Sequence, residues 1–466
     1  MVNRAMHLFY RVRQLIIVSG DAVSYIAGFW LSLLVRNLHI PTGIELERHV
    51  SAFATLFMLW LVLNYINGLY DLERNTPGRT FYRRFGETAL LSLALGIAYF
   101  YLLDPIIAPK TILLLNVLFG YSISLLCRIA YQRLCKPQTL ALNVVLVGWT
   151  AESGFLIDLT RRRPEKGYRI VAVIDPNGAA ADIPADITRM STLSALAEII
   201  KKERAAIVVI APYLHKDAEA LRELYGLLFT RVEITDVPGF YEIVTGRIPP
   251  STFSEGWFLE HLRRTEKPIY DRMRALFDYV FGAVMMTVLA LLFIPTAAAI
   301  KLTSRGPIFY RQRRVGYRGK EFTLYKFRSM YALTADGSAE LNGVEFAQKN
   351  DKRITPFGRF LRRSRMDELP QAWNLLKREV TLIGPRPERP EIVAEMEKRM
   401  PYYPLRHLVR PGLTGWALIN QNYTDNYDKT LQKLQYDLYY IKNRSALLDT
   451  AISLRTINVL IRLMGQ

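Results

Sequence analysis

The stretch Thr355–Pro387, TPFGRFLRRSRMDELPQAWNLLKREVTLIGPRP, joins a run of arginines, two adjacent carboxylates and a proline-rich turn. Ser364 stands three residues before Asp367, which is the spacing of a capping box and predicts a helix with Asp367 in its first turn. There the amide dipoles favour negative charge, keep a carboxylate ionised and attract anions such as phosphate. A charged carboxylate at such a site suits attack on phosphorus, and Glu368 beside it suits a divalent cation.

Two other interpretations of this stretch stay open. Charge runs are usually solvated, so the segment would then be a surface helix with ordinary salt bridges. Pro370 lacks a backbone donor and kinks a helix past its first turn. In that case the helix starts later, with both acids on the turn that leads into it. A separate helix would precede it, with Thr355 and Pro356 at its N-cap and first position.

The length and charge of the chain bound its class. Its 466 residues indicate two or three domains, and its formal net charge is +19. Residues 301–466 hold 30 Lys and Arg against 16 Asp and Glu, so +14 of that charge lies there. Such a field suits nucleic acid, an anionic membrane leaflet or a phosphorylated substrate. Two cysteines are too few for a disulfide scaffold or a cysteine metal site.

Four apolar runs predict a transmembrane domain over residues 1–135, and the first is long enough to span a bilayer. The runs cover residues 15–35, 52–70, 88–103 and 111–126. Basic residues precede the first run. Others, such as Arg74, lie between the second and third runs, and others, such as Lys136, follow the fourth. This distribution places both ends of the bundle in the cytoplasm. Asp21 lies inside the first run, and an intramembrane acid is a functional candidate. We favour a structural contact with a neighbouring helix.

Short strands that alternate with a helical pattern predict a parallel, Rossmann-like α/β domain over residues 140–235. The strands are Asn143–Gly148, Tyr168–Asp175 and Ala205–Ala211. Gly148 and Gly154 lack the middle glycine of a dinucleotide fingerprint, so a degenerate structural module and a nucleotide-binding domain both stay open. Residues 236–268, with a turn at Val237–Phe240, are interpreted as a linker.

A fifth apolar run covers residues 275–300 and has basic residues on both flanks, which conflicts with a positive-inside crossing. Pro295 would break or kink a helix there. We therefore predict a re-entrant helix-break-helix that enters and leaves one leaflet, with a simple fifth span as the alternative. An arginine-rich hairpin follows, and residues 332–350 are predicted to form a loop over the site.

Several blocks in the C-terminal part of the chain resemble the bacterial sugar transferases, the monotopic polyprenyl-phosphate sugar-1-phosphate transferases that start exopolysaccharide and O-antigen repeat units. These blocks are Gly306–Pro307, Gln312–Gly316, Tyr325–Met330, Asp367–Gln371, Gly384–Pro387 and Arg410–Trp416. Their order is that of the family. Large members also carry four membrane helices and a Rossmann-like domain before the catalytic part, so the resemblance covers the full length and implies a mostly helical catalytic domain over residues 269–466.

The resemblance implies transfer of a sugar-1-phosphate from a UDP-sugar to undecaprenyl phosphate, with release of UMP. Asp367 would attack the sugar-linked phosphorus and form an aspartyl-phosphosugar, while Glu368 would hold Mg²⁺. Arg386, fixed between Pro385 and Pro387, would clamp a phosphate or the uridine end. The electrostatic candidates, some of which would serve lipid headgroups instead, are Lys326, Arg328, Arg313 and Arg314. In the membrane element, Pro295 would lie at the bend and Asp278 near the membrane surface.

The chain departs from the family at Arg378, where a glycine is usual, at Leu418, where a glutamine is common, and at Arg365, where an apolar residue or serine is usual. The expected partners are the UDP-sugar, undecaprenyl phosphate, membrane lipids and a second copy in a homodimer, without nucleic acid. The expected location is the bacterial inner membrane, with catalysis on the cytoplasmic face. The alternative from another class is a non-catalytic, membrane-anchored scaffold or sensor of polysaccharide assembly.

Overall fold

The computed structural model describes residues 2–72, 78–102, 110–134, 141–180, 183–230, 232–262, 267–339, 351–421 and 426–461. It contains two compact units, Met1–Thr245 and Gly246–Gln466, and each is described by itself. The basic residues Arg74 and Lys136, and residues 340–350 of the predicted loop, lie outside the described residues.

The first unit begins with four long apolar helices. They are α1 (Val2–Asn37), α2 (Gly43–Ile66), α3 (Arg79–Leu102) and α4 (Lys110–Leu134). Together with one helix of the second unit, they are long and apolar enough to cross a membrane. Helices α1 and α4 approach closely because glycines face each other: a Cβ on Gly28 would lie 2.6 Å from the backbone nitrogen of Gly120. Aromatic side chains such as Tyr25, Phe53 and Trp60 fill the core between the helices.

A polar cluster joins these four helices in their interior. The Asp21 carboxylate accepts hydrogen bonds from Arg128 Nη2 at 2.5 Å, Ser124 Oγ at 2.6 Å and Asn64 Nδ2 at 3.1 Å. The Tyr121 hydroxyl, which bonds the Ser92 side chain of α3, donates to Asn64 Oδ1. Buried charges persist when they are paired and hydrogen-bonded. The interpretation of Asp21 as a contact with neighbouring helices is confirmed.

A five-stranded, all-parallel sheet follows, as the alternating pattern predicted. Its strands are β1 (Leu142–Val147), β2 (Tyr168–Ile174), β3 (Thr188–Met190), β4 (Ile207–Ile210) and β5 (Glu233–Asp236), in the order β3-β2-β1-β4-β5. The helices that accompany it are α5 (Ser153–Arg162), α6 (Leu196–Lys202), α7 (Ala218–Gly226) and α8 (Val237–Thr245). Both faces of β1 are covered, since Val145 and Val147 join one core cluster and Val144 and Leu146 join the other.

The turn predicted at Val237–Phe240 is wrong, and residues 236–268 are not a plain linker. Helix α8 begins at Val237, and its apolar residues pack on the sheet. The Asp236 carboxylate accepts a hydrogen bond from the Gly239 amide at 2.8 Å, as an N-cap does. Pro238 lies in the first turn, where its missing N–H costs nothing. The segment also contains α9 (Glu255–Leu262).

The second unit is mostly helical around two small sheets. Its helices are α10 (Pro268–Thr303), α11 (Pro356–Ser364), α12 (Ala372–Leu376), α13 (Pro390–Arg399), α14 (Trp416–Asn420), α15 (Tyr427–Asn443) and α16 (Ala446–Ile461). Its strands are β6 (Phe309–Val315) and β7 (Glu321–Phe327), an antiparallel hairpin as predicted, and β8 (Thr381–Ile383) and β9 (Gly412–Thr414), a parallel pair. Met366–Gln371 and Tyr403–Leu408 form 3-10 helices.

Helix α10 runs through Pro295 without a break, so the predicted helix-break-helix is wrong in this respect. A proline inside a helix costs one hydrogen bond and about 3 kcal/mol. The next turn is held by packing, because Thr296, Ala297 and Ile300 are buried. Both ends of α10 contact this unit: the Tyr270 hydroxyl donates to Asp449, and Ile300 packs with Phe327 and Leu361.

Candidate active site

Asp367 and Glu368 lie in the 3-10 helix that links α11 to α12. The predicted capping box is wrong, because Ser364 ends α11 and its hydroxyl donates to the carbonyl of Phe360 at 2.9 Å. Arg365 follows in the left-handed conformation (φ 59°), a common way to end a helix. The interpretation with both acids on the turn before a later helix is confirmed. Thr355 caps α11 as predicted, and its hydroxyl accepts from the Gly358 amide at 2.9 Å.

The Asp367 carboxyl is 7% exposed. Its Oδ1 is buried and accepts no hydrogen bond from any residue that the structure describes. Burial raises the pKa of Asp367 to about 6, although Lys326 and Arg362 act in the opposite direction. Asp367 is not held by the helix terminus that was predicted, and desolvation outweighs the surrounding positive charge, so the pKa is raised; at about 6 it still leaves the carboxyl ionised at neutral pH.

The pKa of Glu368 is lowered by its surroundings, whereas that of Asp367 is raised. Lys326 Nζ donates to its Oε1 at 2.8 Å, and Arg365 Nη1 lies 3.6 Å from the same oxygen. Burial alone would raise its pKa, but Lys326, Arg386 and Arg365 outweigh that effect and hold the pKa at about 2. Two neighbouring carboxyls with pKa values pushed apart are suited to different chemical roles.

The hairpin divides the predicted arginines between its two faces. Lys326 pairs with Tyr310 across the strands, and side chains on a strand alternate. Gln312 and Arg314 therefore share the face of Lys326, and Arg313 lies on the other face. Arg314 Nη1 donates to the carbonyl of Pro387 at 2.9 Å, whereas the exposed Arg313 pairs with Glu321.

Arg328 lies apart from this face. Its guanidinium is buried and donates to the carbonyl oxygens of Ser304, at 2.8 Å, and Arg305 at the C-terminal end of α10. Both carbonyls lie directly after Thr303, the last residue of α10. Arg328 therefore joins the hairpin to the end of α10, whereas the sequence predicted it as an electrostatic candidate of the site.

The turn Gly384–Pro387 connects β8 to the surface of the site. It is held against β9, where Gly412 N donates to the Pro385 carbonyl at 2.8 Å. A Cβ on Gly412 would lie 2.0 Å from the Gly384 nitrogen, so only glycine fits there. Pro385 and Pro387 are buried and Arg386 is exposed. Within the described ranges the Arg386 guanidinium donates no hydrogen bond, and its charge lowers the pKa of Glu368.

Behind this turn lies a buried charge network that the sequence reasoning missed. Arg406, 2% exposed, donates from Nη2 to the carbonyl of Arg386 at 3.0 Å and to Asp437 Oδ2 at 2.7 Å. Glu388 pairs with Lys433 and Arg406, and these cations outweigh burial and hold its pKa at about 2. Nothing in the sequence near Arg406 indicated its partner 31 residues away.

Asp278 connects the membrane-type helix to the strand that leads into the turn. Its carboxylate accepts from Thr381 Oγ1 at 2.7 Å and from the Leu382 amide at 2.8 Å. Gly282, one turn further along α10, faces Leu376 so closely that a Cβ would lie 2.9 Å from its methyl carbon. Helix α10 is therefore built into the site's framework.

The described residues contain no cluster of three or more His, Cys, Asp and Glu side chains that could hold a metal ion. The carboxylate pair nevertheless fits Mg²⁺, which is bound through one or two carboxylates together with substrate phosphates. The observation that supports this fit is the buried Asp367 Oδ1, which lacks a donor next to an ionised Glu368.

The fold and site define a membrane-associated protein with a carboxylate pair set among lysine and arginine side chains. Residues 269–463 match the family described as bacterial sugar transferase. The chain belongs to this family.

Among its relatives, the UDP-N-acetylgalactosamine-undecaprenyl-phosphate N-acetylgalactosaminephosphotransferase of Aeromonas hydrophila is 37% identical over 250 residues, 52% of this chain and 56% of the relative. The UDP-glucose:undecaprenyl-phosphate glucose-1-phosphate transferase of Escherichia coli (strain K12) is 31% identical over 327 residues, 67% of this chain and 66% of the relative. The exopolysaccharide production protein PSS of Rhizobium leguminosarum bv. phaseoli is 36% identical over 190 residues, 40% of this chain and 93% of the relative. The chain thus spans less than two thirds of the first two relatives.

Proposed function

We propose that this protein transfers a sugar-1-phosphate from a UDP-sugar to undecaprenyl phosphate, releases UMP and so initiates lipid-linked exopolysaccharide or O-antigen synthesis. The observation that carries the proposal is the buried Asp367 Oδ1 without a donor, beside an ionised Glu368. The names of the relatives support the substrate class, since two of them are undecaprenyl-phosphate sugar phosphotransferases.

In the first step an Asp367 oxygen attacks the phosphorus that carries the sugar. The bond between that phosphorus and the bridging oxygen breaks, and UMP leaves with the electron pair. In the second step a phosphate oxygen of undecaprenyl phosphate attacks the same phosphorus and displaces the aspartate. The products are undecaprenyl-diphosphate sugar and a free Asp367 carboxylate. A pKa near 6 favours this role, because a more basic carboxylate is a better nucleophile and is still ionised at neutral pH.

Glu368 would hold Mg²⁺, which when bound offsets negative charge on the diphosphate. Lys326 keeps Glu368 ionised and placed through its 2.8 Å contact. Arg386 would clamp a phosphate, since its guanidinium is exposed beside the acids and a planar fork binds phosphate well. Arg314 supports the turn through the Pro387 carbonyl, so we assign it to positioning.

The acceptor is a lipid, and α10 supplies the membrane attachment. A 36-residue helix is about 54 Å long, so a straight crossing would carry one end far beyond the opposite leaflet. Both ends contact the same unit instead, and the outer face exposes large apolar side chains such as Phe277, Val284 and Leu291. These contacts support a monotopic attachment to one leaflet of the inner membrane.

The first unit would anchor the protein through four spanning helices, followed by a Rossmann-like domain. The strand order β3-β2-β1-β4-β5 supports that assignment, because it matches the doubly wound arrangement. Basic residues at both ends of the bundle support a cytoplasmic catalytic unit.

The test uses purified full-length protein in lipid nanodiscs with Mg²⁺ and radiolabelled UDP-sugars. Without acceptor, we expect one equivalent of UMP per enzyme and a sugar phosphate attached to the protein, which Asp367→Asn would not form. Added undecaprenyl phosphate should then discharge the label into lipid. Release of UDP would indicate simple glycosyl transfer, and no reaction with any common UDP-sugar would favour the scaffold.

A further inference from the structure

The turn that carries Arg386 is built from acceptors rather than donors. Pro385 and Pro387 lack N–H groups, so their peptide groups can take part in backbone hydrogen bonds only as acceptors. The structure supplies one for each of three consecutive carbonyls: Gly412 N to Pro385 at 2.8 Å, Arg406 Nη2 to Arg386 at 3.0 Å, and Arg314 Nη1 to Pro387 at 2.9 Å. The central bond is the one made to Arg386 itself.

Arg406 can make that bond because its guanidinium is held on all sides. Nη2, which donates to the Arg386 carbonyl, also donates to Asp437 Oδ2 at 2.7 Å, Nε donates to the same oxygen at 3.2 Å, and Nη1 donates to the Tyr403 hydroxyl at 2.9 Å. The guanidinium of Arg406 and the carboxylate of Asp437 are almost entirely buried, with side chains 1% and 3% exposed. A buried pair in low dielectric holds a rigid geometry, and it costs more to break than a surface pair.

We infer that the Arg406–Asp437 ion pair positions Arg386 for its contact with the nucleotide phosphates, and thereby sets the affinity of this site for nucleotide. The inference rests on the proposed function. Arg406 and Asp437 are positioning residues here, because the pair acts through the Arg386 carbonyl while the Arg386 guanidinium faces the site. Their loss should therefore matter only as long as Arg386 is present.

The test is a double-mutant cycle on UMP binding, measured by calorimetry on the full-length protein in nanodiscs with Mg²⁺. We expect Asp437→Asn to weaken UMP binding about tenfold, and Arg386→Ala to weaken it at least as much. The double variant should bind no worse than Arg386→Ala alone, because coupled residues give non-additive effects. Tyr403→Phe, which keeps the ring and removes one anchor of Arg406, should give a smaller loss that also vanishes in the Arg386→Ala background.

The matched control is Asp21→Asn, the same change in a buried Asp–Arg pair of the other unit, which should leave UMP affinity unchanged. If Asp437→Asn fails to fold, Tyr403→Phe alone decides the outcome. Unchanged affinity in the folded variants, or losses that multiply fully with that of Arg386→Ala, would overturn the inference while leaving the proposed function intact. A wild-type protein that binds no UMP would overturn both.

Discussion

Asp21 in the helical bundle and Asp367 in the second unit are both buried carboxylates near arginines, yet their surroundings differ. Asp21 is 1% exposed, and its two oxygens accept four hydrogen bonds, two of them from Arg128. Asp367 is 7% exposed, and its Oδ1 accepts none from the described residues. The first carboxylate has a complete set of partners, whereas the second has one buried oxygen without a donor among the described residues.

Under the proposed function, this difference separates a structural charge from a reactive one. A buried carboxylate with every lone pair satisfied has no capacity left for a substrate, and it stabilises the packing around it. A buried carboxylate with an unpaired oxygen weakens the fold, and such a cost is typical of functional sites. Burial and charge alone, which the two residues share, would not distinguish them.

The largest effect is expected from Asp367→Asn. Turnover should fall more than about 1,000-fold, because an amide cannot act as the nucleophile. The thermal unfolding midpoint should stay the same or rise, because a desolvated carboxyl without a donor is removed. UMP release and calorimetry on the same preparation measure both quantities. A clear loss of stability would place Asp367 in the same class as Asp21.

The reverse pattern is expected for Asp21→Asn. Breaking a buried ion pair leaves Arg128 uncompensated, and such changes cost about 3–5 kcal/mol. Denaturation in detergent should show the loss, while the rate of UMP release per folded molecule stays near that of the wild type. A specific loss of turnover in the folded fraction would give Asp21 a functional role instead.

The pH dependence sharpens the difference further. The proposed mechanism requires an ionised Asp367, so kcat/KM should rise with pH and level off above about 6, the pKa that burial gives this group. Lys326 lowers that pKa, so Lys326→Gln should move the acidic limb to higher pH. Pre-steady-state UMP release across pH 4.5–8 measures the limb. A limb that moves to lower pH would contradict the assignment.

The smallest effect concerns two arginines with the same left-handed backbone, Arg365 and Arg378, both at φ 59°. That conformation costs a non-glycine residue about 1–2 kcal/mol, and glycine adds about 0.4–1 kcal/mol of entropy to the unfolded chain. Arg378→Gly should therefore stabilise the protein by roughly 0.5 kcal/mol with unchanged activity. Arg365→Gly relieves the same strain but removes a guanidinium 3.6 Å from Glu368, so activity should fall. Equal activities would show that Arg365 does not serve the acids.

Local patterns explain how much of the fold the sequence could predict. Apolar runs located the long helices, and alternating apolar segments located β1, β2 and β4 of the parallel sheet. Helix α8 was missed because Pro238 and Gly239 were interpreted as a turn, although the apolar spacing from Val237 to Val244 was helical. The glycine expected at position 378 was itself informative, since the residue there has a positive φ.

Only those residues of the site that belong to sequence motifs could be predicted. One short segment carries Asp367 and Glu368, one turn carries Arg386, and the charge of Arg386 acts on Glu368 in the structure. The separation of Arg313 from Arg314 follows from strand alternation, which was not applied to the hairpin. The contact between Arg406 and Asp437 joins distant segments, and no local spacing encodes it.

The burial of Asp367 has a consequence for the fate of the sugar. A sugar phosphate on a carboxylate is a mixed anhydride, which water destroys readily. In the proposed mechanism, with only 7% of Asp367 exposed, the protein would carry this anhydride largely shielded from bulk water until a lipid-borne phosphate arrives. The activated sugar would then escape hydrolysis until the scarce lipid acceptor binds.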